Sequence, residues 1–331
     1  MSPTSLRPAL SARLLLEFAA ERGLPMREAL SGLDLEPASL MAPDARIDSG
    51  VELDLIAGVV RRLGDSPGLG LELGQRYHLT AYGFWGFALL SSPTLRAALE
   101  TGLRYLDLSY SYLRVRLRDQ DEHTWLIFDA DAVPAALRRF LLERDIAALA
   151  VILRELFATQ VRPSALRLTQ PAPPDLRPYR RLFGIEPQFN CPETAVLLPK
   201  LLLDAPLPQA NPLAAQLCEN QCRQLLAERR QRGGLAAQVR DRLLRGVGSG
   251  RLPDMDSLAA ELNLSSRSLR RHLDAEGSSY RALIDELRQT LAEELLATPG
   301  LKLDEIAARL GYSEAASFLH ARKRWRQATP A

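Results

Sequence analysis

The sequence predicts an α+β N-terminal domain plus an all-α C-terminal domain in which two helix-turn-helix motifs are joined by a central helix. Three observations favour this fold class. The chain has 331 residues, of which 47% are apolar, and this is too long for one ordinary core. Strand patterns occur among helices only before residue 200, and a proline-rich stretch follows at 199–212. We therefore expect domains at 1–200 and 235–331, with a linker at 201–234.

The N-terminal part is predicted to be mainly helical. Apolar residues recur at intervals of three and four over Leu10–Arg22 and Ser49–Leu63, which predicts two amphipathic helices. A buried helix is predicted over Tyr82–Leu90. The pair Ser92-Pro93 is typical of a helix start, with Ser at the cap and Pro in the first turn, and predicts a helix over 96–106.

Alternating apolar and polar residues then predict a β-hairpin. The stretches Tyr112–Arg118 and Thr124–Asp129 alternate, and the polar run 119–122 between them is typical of a turn. The other predicted elements are a long helix over Pro134–Thr159, short strands at Ala165–Thr169, Pro187–Phe189 and Ala195–Leu198, and a helix over Asp175–Phe183.

The stretch at 199–212 contains four prolines, which cannot continue a regular element. Strong helix formers follow over Leu213–Arg232, and Gly233-Gly234 predict a helix stop and a pivot. Cys218 and Cys222 lie four residues apart on this helix, so they are either small buried apolar residues or a redox-sensitive pair. We expect the helix to pack against a partner subunit or to transmit a ligand-dependent change.

Composition argues against several classes of protein. Lys and Arg total 42 against 40 Asp and Glu, so any nucleic-acid surface must come from local clustering of charge. The three cysteines form no metal-ligand pattern with the four histidines, and we expect neither a metal nor a cofactor. No uncharged segment reaches the roughly 18 residues that a bilayer needs, and the start lacks a signal-peptide pattern. We expect a cytoplasmic protein that does not contact a membrane.

A short pattern near the C-terminus occurs twice, at 258–265 and 48 residues later at 306–313. Each copy pairs an apolar residue with a small one, Leu258-Ala259 and Ile306-Ala307, because the next helix must cross the first one closely. Asn263 and Gly311 tolerate the left-handed backbone of the turn, and serines then cap the second helix. We expect two helix-turn-helix motifs with 280–297 as the central helix.

The helix after the first turn presents three arginines on one face. Arg267, Arg270 and Arg271 share that face, while Leu269 and Leu273 point to the core. Such a helix fits the major groove, where Arg binds guanine edges in a bidentate geometry. In the second motif we expect 313–317 to enter the groove and the basic run 322–326 to hold the DNA backbone.

Double-stranded DNA is therefore the expected partner. The predicted contacts are Ser265, Ser266, Arg267, Arg270, Arg271, Ser313, Glu314, Ala315, Ser317, His320, Lys323 and Arg324. Two motifs on one rigid helix suit successive major grooves, about 34 Å apart. The alternative is that these are solvated faces of an ordinary helical bundle, and for Arg267 a base contact and a phosphate contact are equally open.

The C-terminal domain resembles the tandem helix-turn-helix domain of AraC-type transcription regulators. The residues that carry this resemblance are Ile306-Ala307, Gly311-Tyr312, Ser313, Phe318, Lys323-Arg324-Trp325 and Thr329-Pro330, with Arg288 and Leu295-Leu296 in the central helix. Gly83, Gly86 and residues 91–95 resemble the arabinose-binding-like effector domain of a subgroup. The resemblance implies a regulator that responds to a small-molecule effector, most often an activator that contacts RNA polymerase. We expect a homodimer formed through the N-terminal domain and the linker helix.

Several positions depart from the family pattern. The family usually has Arg where this chain has His320, a buried aromatic where it has Arg322, and Gly where it has Gln327; the Tyr-Arg pair that usually follows the Pro is absent. Because dehydrating the Arg322 charge would cost several kcal/mol, we expect this side chain to extend toward phosphate or solvent. These departures favour the hypothesis that the first motif supplies most of the base discrimination.

Aromatic residues concentrate between Tyr77 and Tyr112, where eight of the 20 in the chain occur. Rings with polar tips suit a small-molecule pocket. The predicted ligand-binding residues are Tyr77, Tyr82, Trp85, Tyr105, Tyr110 and Tyr112. The alternative is that they fill the core between helix and hairpin. We expect His78 to be a surface or hydrogen-bonded residue, and Arg104 and Asp107 either to pair with a charged effector or to face water.

Two other functions of the N-terminal domain stay open. An enzyme would have to use Asp129 and Asp131 at the end of a strand and His123 in the preceding turn, but these residues lack a matched base, a metal set or a phosphate loop. Alternatively, the domain only oligomerises. We expect a regulator that is not an enzyme.

Overall fold

The computed structural model describes residues 6–42, 44–120, 123–159, 161–232, 234–248, 253–262, 264–276, 278–297, 301–312 and 314–328. The chain forms two compact units, Leu6–Glu228 and the residues from Arg229 onward. The first unit combines helices with two sheets, and the described residues of the second are helical, so the predicted fold class is confirmed. No helix among the described residues is long and apolar enough to cross a membrane.

The first unit contains six strands and eleven helices begin within it. The strands are β1 (Leu6–Pro8), β2 (Arg46–Asp48), β3 (Arg114–Gln120), β4 (His123–Asp129), β5 (Ala165–Arg167) and β6 (Thr194–Pro199). The helices are α1 (Leu10–Glu21), α2 (Met26–Ala29), α3 (Pro37–Met41), α4 (Ser49–Leu63), α5 (Leu69–Gly74), α6 (Phe84–Leu90), α7 (Leu95–Arg104), α8 (Arg138–Phe157), α9 (Arg177–Phe183), α10 (Lys200–Leu203) and α11 (Pro212–Arg232). Three short 3₁₀ turns lie at Leu79–Tyr82, Leu106–Leu108 and Ala135–Leu137.

The larger sheet is antiparallel throughout, with strand order β3-β4-β6-β5. The hairpin that the sequence predicts is present, with Arg114 paired to Asp129 and Gln120 to His123. Strand β4 is buried on both faces: Leu126 and Phe128 join the main core, while Trp125 and Ile127 join a small cluster on the other face. The sequence alternation predicts a half-exposed strand there, but β4 lies in the middle of the sheet and its second face is also covered.

Helices α5 and α8 cross in direct backbone contact because two glycines leave room. A Cβ atom on Gly70 would lie 2.2 Å from the carbonyl oxygen of Phe140, and one on Gly74 would lie 2.3 Å from that of Arg144. The buried Glu143 side chain also accepts hydrogen bonds from the Gly68 and Gly70 amides, at 3.0 and 3.2 Å. The contact fixes the position of α8, a helix of 20 residues, against α5.

Two predicted helix starts are corrected. Thr94 caps α7, accepting a hydrogen bond from the Ala97 amide at 3.3 Å, whereas the predicted cap, Ser92, donates to the carbonyl of Ala88. The helix predicted as buried over Tyr82–Leu90 begins as a 3₁₀ turn and becomes α6, of which Phe84 and Phe87 are 47% and 48% exposed. Apolar composition alone did not distinguish the covered face from the open one.

The strand predicted at Pro187–Phe189 is reduced to a single parallel bridge between Gln188 and Arg167. Around this bridge the Leu168 amide donates to the Gln188 carbonyl and the Gln188 amide donates to the Leu166 carbonyl, both at 2.8 Å. The Cys191 amide also donates to the Leu168 carbonyl at 2.9 Å. The segment is therefore hydrogen-bonded to the sheet edge, but it is too short to form a regular strand.

The proline-rich stretch at 199–212 packs on the first unit. Leu207 is buried, its amide donates to the Pro93 carbonyl at 3.1 Å, and the amide of Asn211 donates to the Ser91 carbonyl at 2.9 Å. The short helix α10 also interrupts the stretch. The prolines therefore end regular structure without creating an extended tether, because neighbouring amides bond to the loop before α7.

The second unit contains α12 (Gly234–Gly248), α13 (Met255–Glu261), α14 (Ser266–Ala275), α15 (Tyr280–Ala297), α16 (Leu303–Arg309) and α17 (Ala315–Ala328). It has two cores, one around Leu258, Leu269 and Leu273 and another around Ile306 and Phe318. Helix α15 contributes to both, through Leu283 and Leu287 in the first core and Ala292 in the second. It is therefore the central helix that the sequence predicts.

Candidate functional site

Helix α14 carries the arginine face of the first helix-turn-helix motif. Ser265 caps the helix, and its Oγ accepts a hydrogen bond from the Ser268 amide at 3.1 Å. Leu269 and Leu273 are fully buried, whereas Arg267, Arg270 and Arg271 are exposed. None of the three guanidinium groups forms an ion pair with a described residue. Their charge is therefore available to an anionic partner.

Ser265 and Ser266 differ in exposure and in hydrogen bonding. Ser265 is exposed, but Ser266 is half-buried and its hydroxyl donates to the Asp256 carboxylate on α13. Ser266 therefore links α13 to α14 by a hydrogen bond. It stabilises the position of α14 and also lies near the predicted DNA-binding face.

The second motif is built on aromatic packing. Phe318 is fully buried between Tyr312 and Trp325, with ring centroids 6.0 and 6.4 Å away. Gly311 has a φ of 74°, the left-handed conformation that the sequence predicts for this turn. Arg288 of α15 holds the turn by donating from Nε to the Leu310 carbonyl at 2.9 Å.

The predicted contact residues of the second motif are mostly exposed. Glu314, Ser317, His320, Lys323 and Arg324 are exposed, and Arg324 lies 3.3 Å from Asp285 of the central helix. Ala315 is half-buried against the second core. Ser313 and Asn263 lie outside the described residues.

Arg322 is half-buried, so its charge is not fully dehydrated. This agrees with the expectation that the side chain extends out of the core, where an aromatic residue is usual in the family.

Four of the predicted aromatic ligand residues line one cavity in the first unit: Tyr77, Tyr82, Trp85 and Tyr110. Tyr82 stands between Trp85 and Tyr110, with ring centroids 4.8 and 5.2 Å away. The cavity volume is about 90 Å³, several times the roughly 10–15 Å³ that one water molecule requires. The cavity therefore admits a small molecule.

The three tyrosine hydroxyls of the cavity differ in their partners. The Tyr77 hydroxyl lies 2.9 Å from Ser11 Oγ, and the Tyr110 hydroxyl donates to the Ala81 carbonyl at 2.7 Å. The Tyr82 hydroxyl has no hydrogen bond within the described part of the chain. Burial, and then the Asp145 charge, raise the pKa of Tyr82 well above its ordinary value, so its hydroxyl stays protonated.

Tyr105 and Tyr112, which are also predicted to bind the ligand, do not line this cavity. The Tyr112 hydroxyl donates to Glu52 Oε2 at 2.6 Å, and the guanidinium of Arg7 lies 4.1 Å from its ring centre. The Tyr105 hydroxyl instead donates to Glu219 of α11 at 3.3 Å. Both rings belong to the same aromatic cluster in the sequence, but their hydroxyl groups are engaged by charged residues far away in the chain.

Sequence reasoning missed the charged pair in the cavity wall, Arg144 and Asp145 of α8. Their side chains are 1% and 10% exposed, and Arg144 Nε donates to Asp145 Oδ1 at 2.8 Å. Burial by itself lowers the pKa of Arg144, but Asp145 and Tyr77 raise it by more, so the guanidinium remains charged. The available signal was a pair of opposite charges inside an otherwise apolar stretch of a long helix.

The helix that lines the cavity also contacts the predicted linker helix. Arg104 at the end of α7 lies 2.6 Å from Glu219 of α11, which also accepts from Tyr105. Cys222 and Leu226 of α11 are buried in the main core. The Arg104 side chain is 58% exposed, so it faces water in part, and it also has an ion partner within the chain that the sequence does not predict.

The remaining candidates have structural partners. His78 Nδ1 lies 2.5 Å from Glu155 Oε1, as expected of a hydrogen-bonded surface histidine. Asp129 accepts a hydrogen bond from the Asp131 amide at 2.8 Å. No group of three or more His, Cys, Asp and Glu residues that could hold a metal occurs among the described residues.

Cys218 and Cys222 are both free thiols, and Cys222 is fully buried. Burial, followed by the charges of Cys218 and Glu219, raises the pKa of Cys222 to about 11. Since the thiolate is the reactive form, the apolar interpretation of this pair is favoured over a redox pair.

Comparison with known proteins identifies the family of this chain. Residues 23–207 match the arabinose-binding N-terminal domain of AraC transcription regulators, and residues 258–331 match a helix-turn-helix domain. An uncharacterized helix-turn-helix-type transcriptional regulator of Mycobacterium tuberculosis is 35% identical over 99% of this chain and 96% of its own length. The ornithine utilization regulator of Pseudomonas aeruginosa is 33% identical over 97% of this chain and 94% of its own. The crystal structure of the transcriptional regulator CdpR from Pseudomonas aeruginosa covers 96% of this chain and 95% of its own at 26% identity, with a TM-score of 0.48. The chain belongs to the AraC family of DNA-binding transcription regulators.

Proposed function

We propose that a small-molecule effector, bound in the cavity of the first unit, controls this transcription regulator. The observation that supports the proposal is the cavity itself, which has mainly apolar walls, five aromatic side chains and one buried ion pair, Arg144 with Asp145. A few fixed polar groups in an apolar cavity are what binding of a small metabolite requires. The name of the ornithine utilization regulator, which links that relative to a metabolite, is in keeping with this.

The effector acts through α7 and α11. Leu99, Gly102 and Leu103 of α7 line the cavity, and the next two residues, Arg104 and Tyr105, hold Glu219 of α11. An effector that binds one arrangement of these helices better than another shifts their populations, and the DNA-binding activity changes with them. The domains at 1–200 and 235–331, joined by 201–234, are in this proposal the sensing and dimerisation domain, the DNA-binding domain and the linker.

The proposal keeps the DNA-contact residues that the sequence predicts. Arg267, Arg270 and Arg271 contact DNA from α14, since they are exposed and form no ion pair with another described residue. In the second motif, exposed Ser317, His320 and Lys323 face the DNA with the other residues predicted there. The protein acts in the cytoplasm. It is an activator that contacts RNA polymerase, which is the role that membership of this family most often implies.

The regulator is a homodimer in this proposal, and α11 supplies part of the contact. Leu213 and Leu217 lie one turn apart on that helix and are 68% and 58% exposed. The neighbouring exposed residues Gln216 and Asn220 are uncharged. An uncharged apolar stripe can face a second copy of itself without like-charge repulsion.

The experiment that tests the effector function fills the cavity. Ala148 lies in its wall on α8, so Ala148→Leu extends the side chain into the space that the effector needs. A panel of amino acids, amines, sugars and aromatic acids is screened by thermal shift, and a compound at 100 times its Kd should add about 2.7 kcal/mol of stability. We expect Ala148→Leu to abolish this stabilisation.

The matched control is Ala97→Leu, the same change at a half-buried alanine of α7 that lies outside the cavity lining. It should respond to the compound as the unmodified chain does. Stabilisation that persists in Ala148→Leu would place the effector elsewhere. If no compound stabilises the chain, the first unit is an assembly module, and if a compound is turned over, it is an enzyme.

A further inference from the structure

The Arg144–Asp145 pair retains hydrogen-bonding capacity on both of its charges. Arg144 Nη2 donates to the Tyr110 carbonyl at 2.9 Å and Nε to Asp145, but Nη1 has no partner among the described residues. Asp145 Oδ1 accepts from Arg144 and Oδ2 from the Ser111 hydroxyl at 2.5 Å. Because a carboxylate has about four acceptor positions, Asp145 can accept from a further donor.

The Tyr82 hydroxyl is a second hydrogen-bond donor in the cavity wall. The Tyr82 hydroxyl lines the same cavity and is free of hydrogen bonds within the described residues, unlike those of Tyr77 and Tyr110. The cavity thus presents two donor groups, on Arg144 and Tyr82, and one carboxylate acceptor, on Asp145.

The adjacent opposite charges of Arg144 and Asp145 determine which charged groups a bound ligand can carry. A lone ammonium would be attracted by Asp145 but repelled by Arg144, and a lone carboxylate would meet the reverse arrangement. A molecule that carries both groups on one carbon satisfies both residues and leaves no buried charge without a partner.

The other walls define the body of the ligand. They are formed by apolar side chains, including Trp85, Leu89, Leu99, Leu103 and Leu126. A second charged group on the ligand would be placed against these walls without a partner, which is costly. A cavity of about 90 Å³ favours a small ligand.

We propose that the effector is a small aliphatic α-amino acid, whose carboxylate is bound by Arg144 Nη1 and the Tyr82 hydroxyl and whose ammonium group is bound by Asp145. This assignment rests on the proposed effector function of the cavity and adds the class of the ligand. The aliphatic side chain packs between Trp85 and the leucines of α6 and α7.

Four compounds that differ by one group each test the class. L-Norvaline has both charged groups and an apolar side chain; n-butylamine lacks its carboxylate, pentanoate lacks its ammonium, and L-ornithine adds an amine at the far end. Their Kd values for the full chain are measured by isothermal titration calorimetry. We expect L-norvaline to bind at least about tenfold more tightly than each of the other three, since each loses a charged partner or buries an unpaired charge.

Two variants locate the binding. Tyr82→Phe keeps the ring and removes the hydroxyl, and should weaken L-norvaline about tenfold, which is about 1.4 kcal/mol. Asp145→Asn should weaken it more, but Arg144 would lose its ion partner, so Tyr82→Phe is the variant that keeps the fold intact. Glu100→Gln, an exposed acid on α7, is the control and should leave the Kd unchanged.

The outcomes separate the ligand class from the effector function. Equal binding of n-butylamine or pentanoate overturns the zwitterionic class, and equal or tighter binding of L-ornithine overturns the apolar end. If L-norvaline, L-valine and L-leucine all fail to bind while another compound binds and Ala148→Leu abolishes that binding, the class is wrong and the effector function stands. If nothing in the wider panel binds, both proposals fail.

Discussion

At the scale of the residue, two sets of arginines in this chain have opposite environments. Arg144 is 1% exposed and holds its charge because Asp145 and the Tyr110 carbonyl accept its hydrogen bonds. Arg267, Arg270 and Arg271 are exposed and have no ion partner among the described residues. The first kind fixes a cavity wall, whereas the second kind leaves positive charge for a phosphate or a guanine edge.

The exposed set gives a prediction for DNA binding. Operators are first identified by sequencing genomic fragments that the purified protein retains at physiological salt. Arg270→Ala and Arg271→Ala should then each weaken operator binding by about 1–3 kcal/mol if they contact bases. A residue that contacts phosphate should instead weaken all sequences alike and reduce the slope of log K against log salt by about one. Fluorescence anisotropy at several salt concentrations measures both quantities.

The control is Arg61→Ala, which removes one exposed arginine from α4 of the first unit. It should change neither the affinity nor the salt slope. If Arg270→Ala left operator affinity unchanged, the hypothesis that the first motif supplies most of the base discrimination would have to be abandoned.

At the scale of the element, α8 determines both the core and the site. Its backbone contacts Gly70 and Gly74 of α5, and its side chains Arg144 and Asp145 enter the cavity. The close crossing and the polar wall therefore depend on the same helix position. Helix α7 has a similar double role, because it lines the cavity and ends at the residues that contact Glu219.

The helix crossing gives a stability prediction. Gly70→Ala or Gly74→Ala would push a Cβ atom against a backbone carbonyl at 2.2 or 2.3 Å, and backbone cannot move aside as a flexible side chain can. We expect each to lower the free energy of unfolding by more than about 3 kcal/mol. Denaturant unfolding followed by circular dichroism checks this.

Gly58→Ala on α4 is the matched helical control. There the new Cβ would meet only the far end of the Arg62 side chain, at 3.0 Å. Since Ala favours helix over Gly by about 1 kcal/mol, stability should stay the same or rise. Equal losses for Gly58→Ala and Gly70→Ala would show that any added side-chain volume in these helices is harmful, and that the close crossing is not the cause.

At the scale of the whole molecule, the proposed dimer would link association of two chains to DNA binding. Two DNA-binding units on one dimer bind with an increased effective concentration, so a change that prevents dimerisation also weakens operator binding. The exposed stripe of Leu213 and Leu217 on α11 is the part of the described chain that we assign to this contact.

Leu213→Glu combined with Leu217→Glu should convert the dimer to a monomer, because two like charges would face their copies across the two-fold axis. Sedimentation equilibrium measures the mass, and operator affinity should fall at least about tenfold. Leu201→Glu, which alters a leucine that is 88% exposed on α10, should leave the mass unchanged. A monomeric unmodified chain at micromolar concentration would contradict the dimer.

The second unit was predictable because its determinants are local. Leu258-Ala259 and Ile306-Ala307 are buried, Gly311 adopts the left-handed turn, and α15 joins two cores, as the spacing of apolar residues indicates. Contacts between neighbouring helices follow from periodicity and caps within short stretches of chain. The fold class and the DNA-binding family were thus within reach of the sequence.

The first unit needed tertiary information. Tyr105 and Tyr110 look equivalent in the sequence, yet Glu219 lies 114 residues from Tyr105 and engages it outside the cavity. Likewise, the burial of Arg144 depends on the Tyr110 carbonyl, 34 residues away, as well as on the neighbouring Asp145. The sequence by itself determined which residues are apolar, aromatic or charged and where local turns form. The tertiary structure decided which of them face the cavity, because burial of a charge or a ring depends on partners that distant parts of the chain supply.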